Sequence, residues 1–382
     1  MPTDADVDAI MRLDGRVFGE VWKPEDQERQ RTVMDLDRFR IAVEDSAVVG
    51  VAGSYALQMT VPGGSAVPTG GVTFVAVGST HRRRGVLTRL MEEIHQDIDD
   101  RGEPLAALTA SEGGIYERFG YGVVTRRRIT LLDRRRAQVS PAFRPERPQV
   151  QAIDWDHPSL PDELATRWAR VRPLRAAEID RSAAWLKMQI GDRGAGATWV
   201  LHEDGFACWT ITARWNDGHP AHELEVRDLA AATPEAHAAL WDAVLSVDLV
   251  GPIRCLVVAL DDPLPYLLTD PRALRTVELN DFVWCHLRDV AACFSTRTFG
   301  TDDELVIECS GRRWLVGGGG CRRVRTRPDL VAEPSALGPL LMGVAPTTLA
   351  AGRRVSARSP EVLHRADILL AMFPMPHGMS GF

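Results

Sequence analysis

Apolar and polar positions alternate with two different periods in the first hundred residues. Helical spacing occurs first, for example at Val7, Ile10, Met11 and Val17, and strand-like alternation follows it around the Asp45-Ser46 turn. An apolar strand then leads into an amphipathic helix. The pattern predicts helices at 4–18, 25–36 and 84–100 and strands at 38–44, 48–60 and 71–77, with a Gly/Pro-rich loop at 62–71.

The same two periods continue through the rest of the chain. The middle segment predicts helices at 160–171, 182–190 and 234–246 and strands at 197–203, 206–214, 222–229 and 253–259. The last hundred residues predict strands at 282–288, 304–309 and 313–316 and helices at 335–342 and 359–372. The glycine run at 317–320 is typical of a hairpin turn, since no helix follows it. Composition and pattern together predict a mixed α/β and α+β protein.

Length and composition suggest more than one domain. The chain has 382 residues and is 45% hydrophobic, enough for two or three separate cores. Residues 133–149 are rich in Arg and Pro and predict an exposed linker. We expect domains at 1–134, 145–276 and 282–382. No apolar run reaches the length of a membrane span and no leader peptide is evident, so we expect a cytoplasmic protein.

Charge and cysteine usage narrow the classes of partner. The formal net charge of −7 argues against a nucleic-acid-binding surface and suits a cationic small molecule. The six cysteines include no Cys-x-x-Cys, and the histidines form no His-Glu-x-x-His. We therefore predict neither a metal site nor a disulfide framework.

The junction between strand 71–77 and the following helix predicts an anion site. A helix that starts directly after a strand leaves its first N–H groups unpaired, so an anion can accept their hydrogen bonds. Arg82, Arg83 and Arg84 add positive charge, and Gly85 lets a phosphate approach the backbone. The spacing fits neither a P-loop nor a dinucleotide-binding turn. The alternative is an ordinary junction with solvated arginines, which would oppose the helix dipole unless an anion is bound.

A second motif lies downstream, where an apolar run from residue 105 ends at Ser111. Two glycines interrupt the run, a short helix carries Tyr116, and Phe-Gly-Tyr follows at 119–121. Arg82-x-x-Gly85-x-Leu87 after Val75-x-Val77, together with a tyrosine before Phe-Gly-Tyr, resembles the acetyl-CoA motif of the GNAT superfamily of N-acetyltransferases. Leu87 departs from the small residue usual at that position.

Longer runs make the resemblance narrower. Phe-Val-Ala-Val-x-x-Thr-His-Arg-Arg-Arg-Gly from residue 74, Ala-Ser-Glu-Gly-Gly-Ile-Tyr-x-Arg-Phe-Gly-Tyr-Gly from residue 110, Asp-Pro-Leu-Pro-Tyr-Leu-Leu-Thr-Asp at 262–270 and the final phenylalanine resemble the enhanced intracellular survival family of bacterial acetyltransferases over nearly the whole chain. The resemblance implies tandem GNAT-like domains, each with a mixed, splayed central sheet and helices on both faces, the second one degenerate. It also implies a C-terminal sterol-carrier-protein-like α+β domain and a homo-oligomer, a hexamer.

The resemblance places acetyl-CoA, without a metal, in the splay between strands 71–77 and 105–110. The residues it assigns to the cofactor are Val75, Ala76, Val77, Arg82, Arg83, Arg84, Gly85, Val86, Leu87, Thr88, Ser111 and Glu112. Tyr116 would protonate the leaving thiolate, a role open to a phenol with a pKa of about 10. The α-carboxylate of Phe382 would accept the proton of the attacking amine, although its reference pKa of about 3.5 makes it a weak base unless burial raises its proton affinity.

The acceptor is expected to be a cationic amine of the aminoglycoside or polyamine type. Acidic residues outnumber basic ones in the first 45 positions, and the resemblance singles out Glu20 as a carboxylate in an aromatic-walled pocket. Phe18, Trp22 and Phe74 are the candidate walls, which would hold an ammonium by cation–π contact. Gly381 departs from the family, which carries a second pocket carboxylate just before the terminal phenylalanine.

Two other functions stay open from the sequence. The first is an acetyltransferase that acts on lysines of proteins or peptides. The second is a non-catalytic protein that binds acyl-CoA, or that carries a lipid in its C-terminal domain. The presence of Tyr116 and of the final phenylalanine favours the enzyme, because a protein without activity need keep neither.

Overall fold

The computed structural model describes residues 1–144 and 149–382. Their helices are α1 Val7–Phe18, α2 Pro24–Arg31, α3 Val86–Asp100, α4 Gly113–Tyr116, α5 Leu160–Val171, α6 Ala183–Arg193, α7 Pro234–Leu245, α8 Leu264–Leu267, α9 Val290–Thr296, α10 Pro334–Leu341, α11 Pro346–Ala351 and α12 Pro360–Leu370. Within these residues, no helix is long and apolar enough to cross a membrane.

The strands in the same residues are β1 Phe39–Glu44, β2 Ala47–Thr60, β3 Ala66–Val77, β4 Leu105–Thr109, β5 Gly122–Val123, β6 Arg126–Asp133, β7 Gln151–Ile153, β8 Ala197–His202, β9 Gly205–Thr212, β10 Trp215–Asn216, β11 His219–Pro220, β12 His222–Ala231, β13 Val250–Cys255, β14 Leu274–Asp281, β15 Val283–Leu287, β16 Glu304–Cys309, β17 Arg312–Gly317, β18 Gly320–Arg323, β19 Leu330–Ala332 and β20 Val355–Ala357. The chain forms two compact units. The first comprises Met1–Thr125, Phe282–Pro376 and Ser380–Phe382, and the second Arg126–Asp281 and His377–Met379.

The first unit is built around a six-stranded sheet with the order β1-β2-β3-β4-β15-β5. Only β3 and β4 run parallel. Side chains alternate between the two faces of β2, so Val51 packs with α1 on one face and Ala52 packs with α3 on the other. The two helices are amphipathic and bury their apolar sides against the sheet, which gives the unit two separate apolar cores.

The second unit repeats this plan in a seven-stranded sheet with the order β14-β6-β13-β12-β9-β8-β7. A single parallel pair, β12 and β13, is again flanked by antiparallel strands. The helix α7 follows β12 as α3 follows β3. Its N-terminus differs, because the Thr233 hydroxyl accepts a hydrogen bond from the amide of Ala236 and Pro234 occupies the first helical position. The repeat therefore lacks the open helix N-terminus that the first unit has.

Both sheets take one strand from a distant part of the chain. In the first sheet, β15 lies between β4 and β5, although more than 150 residues separate β15 from both strands in sequence. In the second sheet, β6 pairs with β13 and β14, although its sequence precedes residue 134. The sheet to which such a strand belongs cannot be predicted from hydrophobic periodicity, because periodicity indicates the strand and not its partner.

The prediction of an exposed linker at 133–149 is wrong for part of that range. Ala137 and Val139 are buried in the core of the second unit, and Val139 forms an isolated bridge with Leu268. Residues 145–148 lie outside the described residues. Ala137 and Val139 therefore anchor the described part of this arginine-rich stretch in the core of the second unit.

A third sheet completes the first unit, with the order β18-β17-β16-β19-β20 and with α9 to α12 in the same segment. The glycine run forms the predicted hairpin, because Gly317 at the end of β17 pairs with Gly320 at the start of β18. Two glycines alone make the turn. This hairpin is confirmed, and it leaves no phosphate loop at that position.

A buried ion pair in the second unit gives a stability prediction. The carboxylate of Asp228 lies 2.7 Å from Arg181 and 3.3 Å from Arg193, and it is fully enclosed. Burial alone would raise the pKa of Asp228, but the two arginines hold it below its usual range. Asp228→Asn removes the negative charge that both guanidinium groups contact, so we expect a loss of about 3–5 kcal/mol in the free energy of unfolding. Urea unfolding measures it.

Asp204→Asn is the matched control for this prediction. Asp204 also pairs with an arginine of the second unit, Arg170, at 2.9 Å, but solvent reaches both side chains, which are 32% and 49% exposed. An exposed pair contributes less than about 1 kcal/mol. Equal effects of the two substitutions would contradict the assignment of Asp228 as the anchor of a buried charge cluster.

Candidate active site

The first sheet opens between its two parallel strands. The residues at 69–71 of β3 pair with those at 105–107 of β4, and the ladder ends there. Beyond it, β3 continues to Val77, while Leu108 and Thr109 of β4 pair only on their other side, with β15. The opening expected between strands 71–77 and 105–110 is therefore present, and its walls carry unpaired backbone groups that a ligand can reach.

A β-bulge shapes one wall of the opening. Phe74 and Val75 of β3 together face Ala52 of β2, and Phe74 has a positive φ of 52°. The extra residue turns Phe74 and Ala76 towards the core beneath α1, whereas Val75 and Val77 line a cavity. Of the three strand residues expected to contact the cofactor, Ala76 can therefore do so only through its backbone.

The cavity extends from the opening to the N-terminus of α3. Gly85 is the cap of that helix, with a φ of 81°, and no side chain of the described residues bonds to the first helical amides. A Cβ atom at Gly85 would meet no atom within 4 Å, so the space in front of these amides is open. Val86, Leu87 and Thr88, which the sequence analysis assigned to the cofactor, line the cavity here. Unpaired amides at the positive end of a helix dipole are suited to a phosphate.

The three arginines of the turn have different surroundings. Arg82 and Arg83 line the cavity. Arg84 instead lies 2.6 Å from Glu44, and His81 contacts the same carboxylate. Hydrogen bonds from Arg84 and His81 lower the pKa of Glu44 to about 2. The side chain of Arg84 is thus occupied outside the cavity lining, and two of the three predicted arginines remain available for an anion.

Tyr116 lies on the opposite wall of the cavity, which has a volume of about 550 Å³. Its side chain is 8% exposed, and burial, with a smaller contribution from the charge of Glu112, raises its pKa to about 12. Ser111 and Glu112 line the cavity beside it. Tyr116 is therefore a neutral phenol at physiological pH and can donate a hydrogen bond or a proton.

Tyr121, the second tyrosine of the motif, is a core residue. It is fully buried, its hydroxyl is 2.9 Å from Nε2 of His95, and its ring meets that of Tyr116 edge to face. Burial holds the pKa of His95 near 3, so this ring is neutral. Packing against this pair orients the ring of Tyr116.

Phe382 lies where β3 and β4 diverge. The hydroxyl of Thr109 donates a hydrogen bond to the backbone oxygen of Phe382 at 3.1 Å. The phenyl ring covers Gly71, where a Cβ atom would be 3.1 Å from the ring. Thr109 is the last residue of β4, and Gly71 is the last residue of β3 that pairs with β4. Both contact Phe382, whose main-chain oxygen therefore lies at the opening.

The four residues predicted for the acceptor pocket are only partly together. Phe18 lines the cavity and is 43% exposed, while the rings of Trp22 and Phe74 are stacked with centroids 6.0 Å apart. Glu20 is exposed in the loop that follows α1.

Sequence reasoning missed Asp14, which is 6% exposed and accepts a hydrogen bond from Nε1 of Trp22 at 3.2 Å. The spacing of Ile10, Asp14 and Val17 put this aspartate on the apolar face of α1, and that position was the signal available. A carboxylate on a buried helix face is uncommon unless it has a partner or a function.

Comparison with known proteins identifies the class. Residues 2–124 match a family model described as an acetyltransferase (GNAT) domain, and residues 177–288 match a second model with the same description. The chain is therefore an acetyltransferase with tandem GNAT domains, a class that uses acetyl-CoA. No cluster of residues in 1–144 and 149–382 is suited to hold a metal ion.

Whole-chain relatives identify the family. N-acetyltransferase Eis of Mycobacterium tuberculosis is 34% identical over 97% of this chain and 96% of its own, and an uncharacterized N-acetyltransferase of Streptomyces avermitilis is 33% identical over 95% of each. The crystal structure of Eis1 from Mycobacterium abscessus matches with a TM-score of 0.89 at 31% identity and covers 100% of this chain and 99% of its own. The chain belongs to the Eis family of N-acetyltransferases.

The open amides of α3 give a kinetic prediction. Gly85→Val places a branched side chain in the space before these amides, so we expect the KM for acetyl-CoA to rise at least tenfold. Gly102→Val is the control, because Gly102 also has a positive φ, 69°, and no atom within 4 Å of a Cβ position, but it follows the far end of α3. Steady-state kinetics of both variants separate backbone strain from a blocked site; equal KM values would remove the anion site.

The cavity arginines give a milder prediction. Arg83→Ala removes a charge that faces the cavity, and we expect a loss of about 1–3 kcal/mol in acetyl-CoA binding, the range for a charge-assisted hydrogen bond. Arg89→Ala is the control, since Arg89 is near the start of α3, is largely exposed and pairs with Glu93. Titration calorimetry measures both affinities, and an unchanged Arg83→Ala affinity would leave the anion to the amides and Arg82.

Proposed function

We propose that this protein transfers an acetyl group from acetyl-CoA to a primary amine of a cationic small molecule, of the aminoglycoside or polyamine type. The observation that carries the proposal is one cavity that joins the open N-terminus of α3 to Tyr116 and to Phe18. It offers an anion site at one end, a proton donor in the middle and an aromatic wall at the other end. Each feature fits one part of the two substrates.

In this proposal acetyl-CoA lies in the opening of the first sheet. The backbone at 75–77 would hold the pantetheine and the thioester oxygen, and the amides at 83–88 would hold the pyrophosphate. Arg82 and Arg83 would add charge, and Ser111 and Glu112 would close the other side. The end of the β3–β4 ladder at Gly71 and Ala107 supports this placement, because it leaves the backbone at 75–77 without a strand partner on the side of the opening.

The proposed reaction is a direct attack without a covalent enzyme intermediate. The amine nitrogen forms a bond to the thioester carbon, and the carbon–sulfur bond breaks. Tyr116 donates its phenolic proton to the departing thiolate, and the α-carboxylate of Phe382 accepts the proton that the amine loses. Positioning and proton management are the main tasks of the protein.

Further proposals follow from the resemblance. The segment 282–382 would form a sterol-carrier-protein-like domain, which its five-stranded sheet with α9 to α12 supports. We also propose the division into domains at 1–134, 145–276 and 282–382, a homohexamer, and a cytoplasmic location. Membership of an N-acetyltransferase family excludes the non-catalytic alternative for the chain as a whole.

An acceptor panel tests the proposed substrate class against lysine acetylation. Purified protein is incubated with acetyl-CoA and an aminoglycoside, a linear polyamine or a lysine-containing peptide, and released thiol is measured together with the mass of each product. We expect acetylated small molecules at kcat/KM values at least tenfold above that of the peptide. A preference for the peptide would replace the small-molecule assignment with the lysine alternative.

A further inference from the structure

Asp14 is a buried carboxylate with an incomplete set of partners. It lies on the face of α1 that packs against the sheet, and its residue is 6% exposed. Nε1 of Trp22 donates to Oδ2 at 3.2 Å, and in the described parts of the chain Oδ1 accepts no hydrogen bond. No arginine or lysine of the described residues forms an ion pair with it. A buried carboxylate without a cation is costly, and a cationic group of a ligand would offset that cost.

The surroundings of Asp14 suit an ammonium group. Trp22, its hydrogen-bond donor, stacks on Phe74 with an interplanar angle of 17°, and Phe39 meets Phe74 edge to face. The titratable groups that act on Asp14 are Glu20 from the loop and Tyr55 from β2, neither of which is a cation. Burial, with a smaller contribution from Glu20, raises the pKa of Asp14 to about 6. Carboxylate and aromatic faces together bind alkylammonium ions.

Asp14 is on the same face of the sheet as Phe382. Tyr55, whose ionisation Asp14 influences, pairs with Gly71 in the ladder between β2 and β3. The ring of Phe382 covers that same Gly71. Phe74, which is at the bulge, connects this face with the cavity wall at Val75. An acceptor with its reacting amine at the opening can therefore extend a second cationic group towards α1.

We propose that Asp14 binds a second, non-reacting ammonium group of the acceptor and so sets a preference for diamines over monoamines. This inference rests on the proposed function, because it names the part of the acceptor that the same site recognises. Asp14 is then a specificity residue, and the reacting nitrogen remains with Phe382. Trp22 holds one carboxylate oxygen and leaves the other for the ligand.

The test compares a linear diamine with the monoamine of equal length, using the wild-type protein and Asp14→Asn. Asparagine keeps an oxygen for Trp22 and removes the charge. We expect the KM for the diamine to rise at least tenfold in Asp14→Asn, with kcat within twofold, while the KM for the monoamine changes less than twofold. The melting temperature is expected to rise, because a buried charge is removed.

Asp8→Asn is the matched control. Asp8 is also on α1, but it is exposed and pairs with Arg31, so neither KM should change. If the wild type acetylates both amines and Asp14→Asn raises both KM values equally, or lowers kcat for both, the diamine role of Asp14 is wrong and the proposed function stands. If the wild type acetylates neither amine but does acetylate an aminoglycoside, the diamine role is overturned and the proposed function stands. If it acetylates none of the three, both proposals are overturned.

Discussion

Removal of Phe382, or extension of the chain beyond it by a short peptide tag, is expected to abolish acetyl transfer while acetyl-CoA still binds. The deletion removes the ring that covers Gly71 and moves the terminal carboxylate away from Thr109. The tag converts that carboxylate into an amide, which cannot accept a proton from the amine. We expect the activity to fall at least a hundredfold, the scale of general base catalysis. Turnover and calorimetric binding of acetyl-CoA are measured in parallel.

Phe382→Leu is the informative partner of these variants. It keeps an α-carboxylate on an apolar residue of similar reach, so it should retain most of the activity that the deletion loses. Full activity of the tagged protein would sink the assignment of the carboxylate as the base. Glu20, Glu112 or an ordered water would then be the candidate base.

Tyr116→Phe is expected to lower kcat by about a hundredfold or more, with little change in either KM. The substitution keeps the ring that packs on Tyr121 and removes only the hydroxyl of this cavity-lining residue. Because burial raises the pKa of Tyr116 to about 12, the phenol stays protonated throughout the range from neutral pH to about pH 10. The pH profile of wild-type kcat should therefore show no loss from this group in that range.

Tyr121→Phe distinguishes chemistry from packing. It removes the hydrogen bond to His95 and leaves a buried ring nitrogen without its partner, at a cost of about 1–3 kcal/mol in the free energy of unfolding. Its kcat should stay close to that of the wild type. A kcat near wild type in Tyr116→Phe as well would reduce Tyr116 to a packing residue.

Local patterns were sufficient to predict most elements, and the anion site that they indicate at the N-terminus of α3 stays a prediction. The helix predicted at 160–171 and the strand predicted at 304–309 have those bounds in the structure, whereas the helix predicted at 84–100 begins at Val86 because Gly85 is its cap. These features depend on periodicity and on backbone conformation within a few residues. One loop was predicted wrongly, since β3 begins at Ala66, inside the range 62–71. Pro68 is tolerated there because pairing with β4 starts only at Thr69.

Features that depend on distant contacts could not be predicted in the same way. The insertion of β15 beside β4 and the transfer of β6 to the second sheet are decided by pairing across more than a hundred residues. The engagement of Arg84 by Glu44 is likewise a contact between separate strands and turns. The burial of Asp14 could not be predicted for another reason. The N-terminal segment is rich in acidic residues, and only the packing of α1 distinguishes Asp14 from the solvated ones.

In the proposed function, the cavity of the first unit transfers acetyl groups to a cationic amine. The most direct measurement follows one acceptor, a linear polyamine, through single turnovers with acetyl-CoA labelled in its acetyl group, for the wild type and Tyr116→Phe at equal saturation. We expect the labelled acetyl group to appear on the amine at the same rate as thiol is released. In the variant, the rates of both events should fall by about a hundredfold. Thiol release without labelled amine, or equal rates in the two proteins, would contradict this proposal.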